Sequence, residues 1–493
     1  MSSERGVGAR RGMQGSINQT SNFARGARVS VRRLHSLRLS LIAAACSVIL
    51  SMLAACSSES PTTPSRRPNF ILIVVDALRA DRLHYAGCQK ELSPNFDKLQ
   101  NQSASFFNAY APSSWTLPSM ASVFLGQPPS KHKVVHFGSS LSGEETTFVE
   151  KLHEMGYRTG GWSANTLMGG SRGFARGFDE YQVVMDQRWH PGVSPESEYS
   201  RAPASEVTSQ ALVWLRDASA PDSDAPFFAY LHYMETHTPL LCADSADDKC
   251  KVTAAALTRR LLTWQWDFTG PEQAIIRNLY DTGVARMDAA LGDLYSKLNA
   301  NGLLNHTWLI VTADHGEMLG EQDSYLHGNT LYQPVLSVPL LIRSPSGRRS
   351  VVDFPVSLTD LGPTILDLAG VEAPGSIRGR SFRKALEGNA TPFRPVVSQL
   401  FPVDGKPRVI DRHLLAVTDG TTNILVGVDG KLERFNLSED PQQLHPAPAD
   451  SRELDEFLSE VGMTFNLSDA LSVPSSDISP EMHQQLKALG YVH

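Results

Sequence analysis

Five short apolar runs constrain this chain more than any other feature: residues 70–75, 158–163, 226–232, 307–313 and 338–343. Most are rich in β-branched and aromatic residues, the pattern of strands covered on both faces in a parallel sheet. Between them lie segments with helical periodicity, at 93–103, 144–155, 204–218, 271–299 and 358–369. In the fourth, Val284, Met287, Leu291, Leu294 and Leu298 share one face, as a core-facing helix requires. Strand and helix in alternation predict an α/β layered fold around a mostly parallel sheet.

The residues just beyond each strand are more informative than the strands themselves. "NFILIVVDALR" ends on Asp76, "GWSANT" on Asn165 and Thr166, "FFAYLHYMETHTP" on Glu235 and His237, and "TWLIVTADHGE" on Asp314, His315 and Glu317. Open α/β sheets bind ligands beyond the carboxyl ends of their strands, and polar, metal-capable residues collect at that edge four times over. Asp76, Asp314 and His315 arrive on separate strands and are suited to one divalent ion. His237, and His327 in "YLHGNTLYQPVLSVP", are further candidates, although each alone reads equally well as a packed or solvated imidazole. A second metal would need an Asp and a His on one loop; "YDTGVARMDAALGDLYSKL" offers Asp281 and Asp288 but no His, so one metal is expected. In "SSWTLPSMASVFLG", Thr116 stands at a helix start with Pro118 just inside. It reads as an N-cap, and also as a nucleophile held where backbone amides favour an anion.

Hydrophobic residues at 41% and charged residues at 20% suit a globular chain, and 493 residues allow one large domain with a smaller appendage. Residues 1–38 hold eight Arg and a single acid, Glu4, ahead of the apolar stretch "LSLIAAACSVILSMLAA" and Cys56. A basic region, a short apolar stretch and small residues predict a secretory signal over 1–55, too short and Ala/Ser-rich for a comfortable membrane span. "LAAC" at 53–56 resembles a bacterial lipoprotein box, which implies lipid on Cys56 and an extracytoplasmic, membrane-anchored location; an uncleaved anchor is the alternative. Met13 is an alternative start. Residues 57–68, "SSESPTTPSRRP", read as a tether. Eight of the 45 Lys and Arg and one of the 52 acids lie in 1–55, which leaves the remainder near −14 and argues against nucleic acid as a partner. Cys242 and Cys250 flank "ADSADDK" and can close a small disulfide in an oxidising compartment, leaving Cys88 as a buried thiol.

"PNFILIVVDALRADRLHYAG", "SPNFDKL", "FFNAYAPSSWTLPSMASVFLG", "TADHGEMLGE", "HGNTLYQPVLSVPLLI" and "DLGPTILDLAGV" together resemble the sulfatase family of the alkaline phosphatase superfamily. "ERFNLSEDPQQ" and "QQLKALGYV" are similar to its C-terminal elements. The resemblance implies an α/β/α sandwich around a large mixed sheet over 69–390, then a small antiparallel-sheet subdomain with a closing helix over 391–493. It implies Asp76, Thr116, Asp314 and His315 as metal ligands and Thr116 as the nucleophile. His237 would protonate the leaving oxygen, His327 would grip the transferred group, and Asn165 would contact substrate.

The departures carry as much information. The family's nucleophile is a Cys or Ser oxidised to formylglycine; here it is Thr116, so no formylglycine is expected. Met120 replaces the supporting Arg, Ala77 the second Asp of an Asp-Asp pair, and Ser163-Ala-Asn165 a Lys-x-His that grips sulfate. A Thr nucleophile belongs to phosphodiesterases and phosphoglycerol or phosphoethanolamine transferases of the superfamily. The expectation is therefore a metal-dependent hydrolase or transferase of phosphate esters acting through Thr116, with a sulfuric ester hydrolase and an inactive surface-binding relative as alternatives. Manganese or zinc is expected ahead of calcium or magnesium. The substrate would be a small-molecule, glycan or lipid-headgroup ester. Its specificity would sit in loops at 165–203 and 240–270, where the Trp and Arg residues read as packing on the sheet.

Overall fold

The apolar runs become neighbouring strands of one sheet, and burial on both faces explains their shared composition. The computed structural model describes residues 67–186, 201–220, 224–243, 246–389, 394–401 and 413–471. Eight strands form the large sheet: β1 (Asn69–Val75), β2 (Ala104–Phe106), β3 (Arg158–Ser163), β4 (Glu180–Val183), β5 (Phe227–Tyr233), β6 (Thr307–Ala313), β7 (Leu340–Arg343) and β8 (Ser350–Val352). Their order is β8-β2-β7-β6-β1-β5-β3-β4. Only β7 runs against its neighbours, β2 and β6; the other pairs are parallel. β1 lies between β5 and β6 and is buried at every position, so Asp76 leaves the sheet at its centre.

The expected helices form at Pro94–Gln100, Phe148–Glu154, Ala204–Ala218, Gly270–Ala300 and Leu361–Leu368. Val284, Met287, Leu291, Leu294 and Leu298 are all buried. A second, antiparallel sheet comes next in chain order: Val396–Gln399, His413–Thr418, Thr422–Gly427, Leu432–Asn436 and Ala447–Pro448. The helix Ser451–Glu460 covers one face of it, with Leu454 and Leu458 against Val397, Leu415, Val417, Ile424 and Val426. The architecture is thus the α/β class expected, a mixed and mostly parallel sheet with a separate small one. The signal, Cys56, the tether to residue 66 and the closing helix at 484–492 lie outside the described residues. No helix among the described residues is long and apolar enough to cross a membrane.

Several expectations need correction. β2, β4 and β8 are not predicted from the sequence because strands of three or four residues at a sheet margin give no measurable periodicity. The segment 240–270 is not a loop: Asp248–Leu262 is helical, its first turn capped by the Asp247 side chain accepting from the Cys250 amide. The Cys242–Cys250 disulfide closes beside that cap. Its aromatic residues do pack, with Trp264 and Trp266 rings 4.6 Å apart, Trp266 5.8 Å from Tyr325, and Arg260 4.4 Å above the Phe268 ring. Cys88 is free as expected but only partly buried. Asp281 pairs with Lys90 and Arg82, and Asp288 accepts the Asn95 and Phe96 amides, so both acids tie the long helix to the chain after β1.

The helix Thr116–Leu125 is buried on every side. Phe124 within it meets Phe148, Phe174 and Tyr230 at 5.4–5.6 Å between ring centroids, so the helix is clamped along its length. Ser122 Oγ on the same helix lies 2.9 Å from His132 Nε2, while His132 Nδ1 accepts the Val134 amide. Both ring nitrogens are satisfied only in the neutral imidazole, and burial lowers its pKa to about 3 from the usual 6.5. The unfolded chain therefore binds a proton that the folded one refuses, and stability falls as pH drops below 6.5. His132→Gln is expected to flatten the decline of the urea midpoint between pH 6.5 and 4 relative to wild type. The difference should approach about 1.4 kcal/mol per pH unit.

Candidate active site

β1, β6 and the helix Thr116–Leu125 end at one point. Asp76, Thr116, Asn165, His232, Asp314 and His315 are all fully buried there. Thr116 Oγ1 lies 3.3 Å from Asp76 Oδ2, 3.3 Å from His315 Nε2 and 3.3 Å from Asn165 Nδ2. Trp115, not Thr116, is the residue ahead of the helix, and no side chain caps it. The N-cap reading of Thr116 is therefore wrong: Thr116 already lies in the first turn, and its hydroxyl faces the strand ends.

Asp314 is held by main-chain donors, with Oδ1 accepting the Ala77 amide at 3.1 Å and the His315 amide at 2.9 Å. Ser119 Oγ, one turn into the Thr116 helix, donates to the Asp314 carbonyl at 2.6 Å. Thr116 and Asp314 thus cannot move apart without breaking a buried bond. Ala77, which replaces the family's acid, takes a left-handed φ of 59° that aims its amide at Asp314. Gly316 has no room for a side chain, since a Cβ there would stand 2.0 Å from the Pro334 carbonyl oxygen. The chain beyond it is braced by Arg79, which bonds the Glu317 carbonyl and the Glu321 carboxylate.

Two buried carboxylate oxygens, Asp76 Oδ1 and Asp314 Oδ2, have no hydrogen-bond partner. His315 Nε2 lies 3.6 Å from the first and 3.3 Å from the second, and its Nδ1 donates to the Gly316 carbonyl, leaving Nε2 as the acceptor. Asp76, Asp314 and His232 also form a cluster with ligand atoms within 4.8 Å of one another. Burial drives the Asp314 carboxyl well above its ordinary pKa, and the adjacent Asp76 charge adds to this. Burial acts the same way on Asp76 but is outweighed by His237, the His232 hydrogen bond and His315, which hold it far below the carboxylate range. Two converging carboxylates with orphaned oxygens and an imidazole are a donor set that fits one divalent cation.

The other expected residues fall in different places. Asn165, read as a substrate contact, is committed inside the protein: Nδ2 donates to Asp76 Oδ2 at 2.6 Å, and Oδ1 accepts the Leu167 amide. Through these bonds and the contact with Thr116 Oγ1 it orients Asp76 and Thr116. His237 and His327 have rings 5.0 Å apart, and His327 stands 4.3 Å from His315, so the three imidazoles form a row. His327 Nδ1 also contacts Glu317 Oε1 at 3.1 Å. His237 Nδ1 donates to the Thr238 carbonyl at 2.5 Å, and burial lowers its pKa to about 4. Met120 is buried in the core.

Together these positions place a hydroxyl, two carboxylates and four imidazoles around one centre. The Sulfatase family matches residues 68–371. The chain belongs to the sulfatase family. Residues 320–461 match a second description, N-sulphoglucosamine sulphohydrolase, C-terminal. Bovine arylsulfatase K (Bos taurus) is 26% identical over 352 residues, which is 64% of this chain and 65% of the bovine protein. The phosphonate monoester hydrolase of Agrobacterium radiobacter superposes with a TM-score of 0.64 at 21% identity, over 80% of this chain and 94% of its own. A structure solved with its substrate D-glucosamine-2-N,6-O-disulfate superposes with a TM-score of 0.63 at 18% identity, over 80% and 97%. The sulfatase-family chain thus resembles sulfatases in sequence and shares its fold with sulfatases and with a phosphonate monoester hydrolase.

Two residues of this sulfatase-family site are not predicted from the sequence. His232 lies inside β5, where an apolar run reads as core; its Nε2 is 3.2 Å from Asp76 Oδ2, and its Nδ1 is 2.6 Å from the Tyr230 hydroxyl. With Tyr230 donating, His232 gives its Nε2 proton to Asp76. The unusual signal was a histidine in the middle of "FFAYLHY". Arg201 is buried, and its guanidinium bonds the His237 and Glu235 carbonyls, close enough to feel the Asp76 charge. Nothing local in "YSRAPASE" marks it.

Proposed function

We propose that this chain is a metal-dependent hydrolase or transferase of phosphate esters with Thr116 as nucleophile. The observation that carries the reading is the convergence of Asp76, Asn165 and His315 on Thr116 Oγ1, each at 3.3 Å. A threonine supports phosphate over sulfate chemistry because oxidising its secondary alcohol gives a ketone, not the aldehyde on which formylglycine chemistry depends. Asp76, Asp314 and His315, with Thr116 completing the set, would hold one divalent ion, for which manganese or zinc is the better match; His232 would support the set by bonding Asp76 Oδ2. Bound there, it would lower the hydroxyl's pKa and neutralise charge on the phosphoryl oxygens.

The residues themselves do the rest. Asn165 fixes the Thr116 rotamer by donating to its oxygen, and Asp76 Oδ2 is the acceptor facing the hydroxyl proton. Attack forms the Thr116 Oγ–P bond and breaks the bond from phosphorus to the leaving oxygen. Water or an acceptor alcohol then attacks phosphorus, breaks the Thr116 Oγ–P bond and carries the phosphoryl group away, its proton returning to Thr116 Oγ. His237 would serve the leaving oxygen from Nε2 once that atom carries a proton; burial works against that form and outweighs the Asp76 charge that favours it, so the proton has to arrive during the reaction. The His315–His327–His237 row lines the path between the hydroxyl that loses a proton and the oxygen that gains one.

The test is turnover of 4-nitrophenyl phosphate, bis(4-nitrophenyl) phosphate and 4-nitrophenyl sulfate side by side, with Mn²⁺, Zn²⁺, Ca²⁺ and Mg²⁺ in turn. Phosphoester turnover exceeding sulfate turnover is expected. Sulfate turnover alone would replace this reading with the second, a sulfuric ester hydrolase, which the relatives' names favour. Arg201 would position His237 through its carbonyl and bring a positive charge near the site, where Met120 and Ser163-Ala-Asn165 bring none. Arg201→Ala should lower kcat/KM about 10- to 100-fold, the value of a charged hydrogen bond, with bound metal unchanged and partial rescue by Arg201→Lys. The signal and Cys56 support an extracytoplasmic, lipid-anchored enzyme, and the Cys242–Cys250 disulfide suits that compartment.

A further inference from the structure

The far end of the buried helix opens onto a groove of different character. Gly126 ends the helix in a left-handed conformation, and its carbonyl accepts the amides of Arg378 and Gly379. Ten residues at 1.5 Å each put this end about 15 Å from Thr116. Beside it a groove of about 480 Å³ runs along the seam between the large and small sheets. Lys131, Arg378, Arg380 and Arg394 line it, and no acidic side chain does. Arg394 is anchored by Asp360, whose Oδ1 also accepts the Arg380 amide at 2.7 Å. The other three cations are exposed and make no ion pair or side-chain hydrogen bond among the described residues.

With Arg394 paired to Asp360, three like charges that are unpaired among the described residues remain around one concavity, on a chain whose formal charge is −7. Charges placed for solubility alone would be interspersed with acids. The backbone fixes the arrangement, since three of the four cations sit on segments held by buried main-chain or carboxylate bonds. We propose that this groove binds a polyanionic glycan, a sulfated or phosphorylated polysaccharide segment, at a position separate from the Thr116 centre. A membrane surface is the weaker match. The groove is concave, and its apolar lining, Ile377, Val461 and Met463 included, is partly buried; none of the exposed large apolar side chains among the described residues, such as Phe107, Val213, Val252 and Val351, lines it, so no apolar side chain projects from it to anchor in lipid. The proposal stands on the groove and does not depend on which ester Thr116 cleaves.

The test measures binding of dextran sulfate by calorimetry at low and physiological salt, with uncharged dextran and phosphatidylglycerol vesicles as parallel probes. Wild type should bind dextran sulfate, more weakly as salt rises, and should not bind dextran. The triple variant Lys131→Ala, Arg378→Ala, Arg380→Ala removes only exposed side chains and should bind about 10- to 100-fold more weakly, as expected for three exposed ion pairs. A control triple, Lys98→Ala, Lys249→Ala, Lys251→Ala, should bind like wild type. Equal losses in both triples, or no binding by wild type, would overturn the proposal. So would vesicle binding that exceeds dextran sulfate binding and is lost in the groove variant.

Discussion

Thr116→Ala is expected to lower kcat on the preferred ester by at least about 10³-fold, because a nucleophile has no neighbour able to replace it. The loss should fall on kcat more than on KM, since the carboxylates and imidazoles that surround the substrate remain. Thr116 is fully buried, so alanine leaves a small void and one unfilled position beside Asp76, Asn165 and His315. The fold should nonetheless survive, because the helix is held by the Phe124 aromatic cluster and by Ser119 on the Asp314 carbonyl. A circular-dichroism melt within a few degrees of wild type would establish that. Thr116→Ser keeps the hydroxyl but loses the β-branch that restricts its rotamer, so it should retain most of the activity. Turnover of the alanine variant within tenfold of wild type would remove Thr116 from the mechanism.

Asp314→Asn should separate metal binding from folding by moving two melting temperatures in opposite directions. In the metal-free protein, Asp76 and Asp314 present orphaned oxygens toward a common centre with only imidazoles between them. Burial and the Asp76 charge already push the Asp314 carboxyl toward its neutral form at a cost to folding, and asparagine removes that cost while preserving the oxygen that accepts the Ala77 and His315 amides. The metal-free variant is therefore expected to melt at or above wild type. With metal present the order should reverse: wild type gains about 2.7 kcal/mol at a metal concentration one hundred times its Kd, and the variant gains little. Differential scanning fluorimetry with and without Mn²⁺ or Zn²⁺, alongside metal content by mass spectrometry, reads both. A variant that still binds one equivalent with the wild-type shift would exclude Asp314 as a ligand.

Much of the sulfatase-family architecture was legible along the chain because it repeats a local rule. Strands buried on both faces must be apolar throughout, and the residues that stop them stand where the sheet ends. Asp76, Asp314 and His315 announced themselves in this way, as did the helices at 204–218 and 271–299. The residues that were not legible owe their positions to contacts far along the chain. His232 lies within an apolar strand, and only the pairing of β1 with β5 turns it toward Asp76. Arg201 reaches the His237 carbonyl from a segment with no pattern of its own.

Thr116 shows where the division falls. The sequence by itself determined that a helix begins near a threonine, that metal-capable side chains gather at one sheet edge, and that the family's oxidisable nucleophile and its Arg are missing. Those are consequences of side-chain chemistry and of periodicities only a few residues long. The tertiary structure alone decided that the hydroxyl faces Asp76, Asn165 and His315 instead of capping its own helix, that Asn165 bonds Asp76 and Thr116 together, and that a buried guanidinium stands beside His237. Such choices depend on which strands become neighbours, and strand order is settled by burial and pairing summed over the whole chain, which no short stretch of sequence encodes.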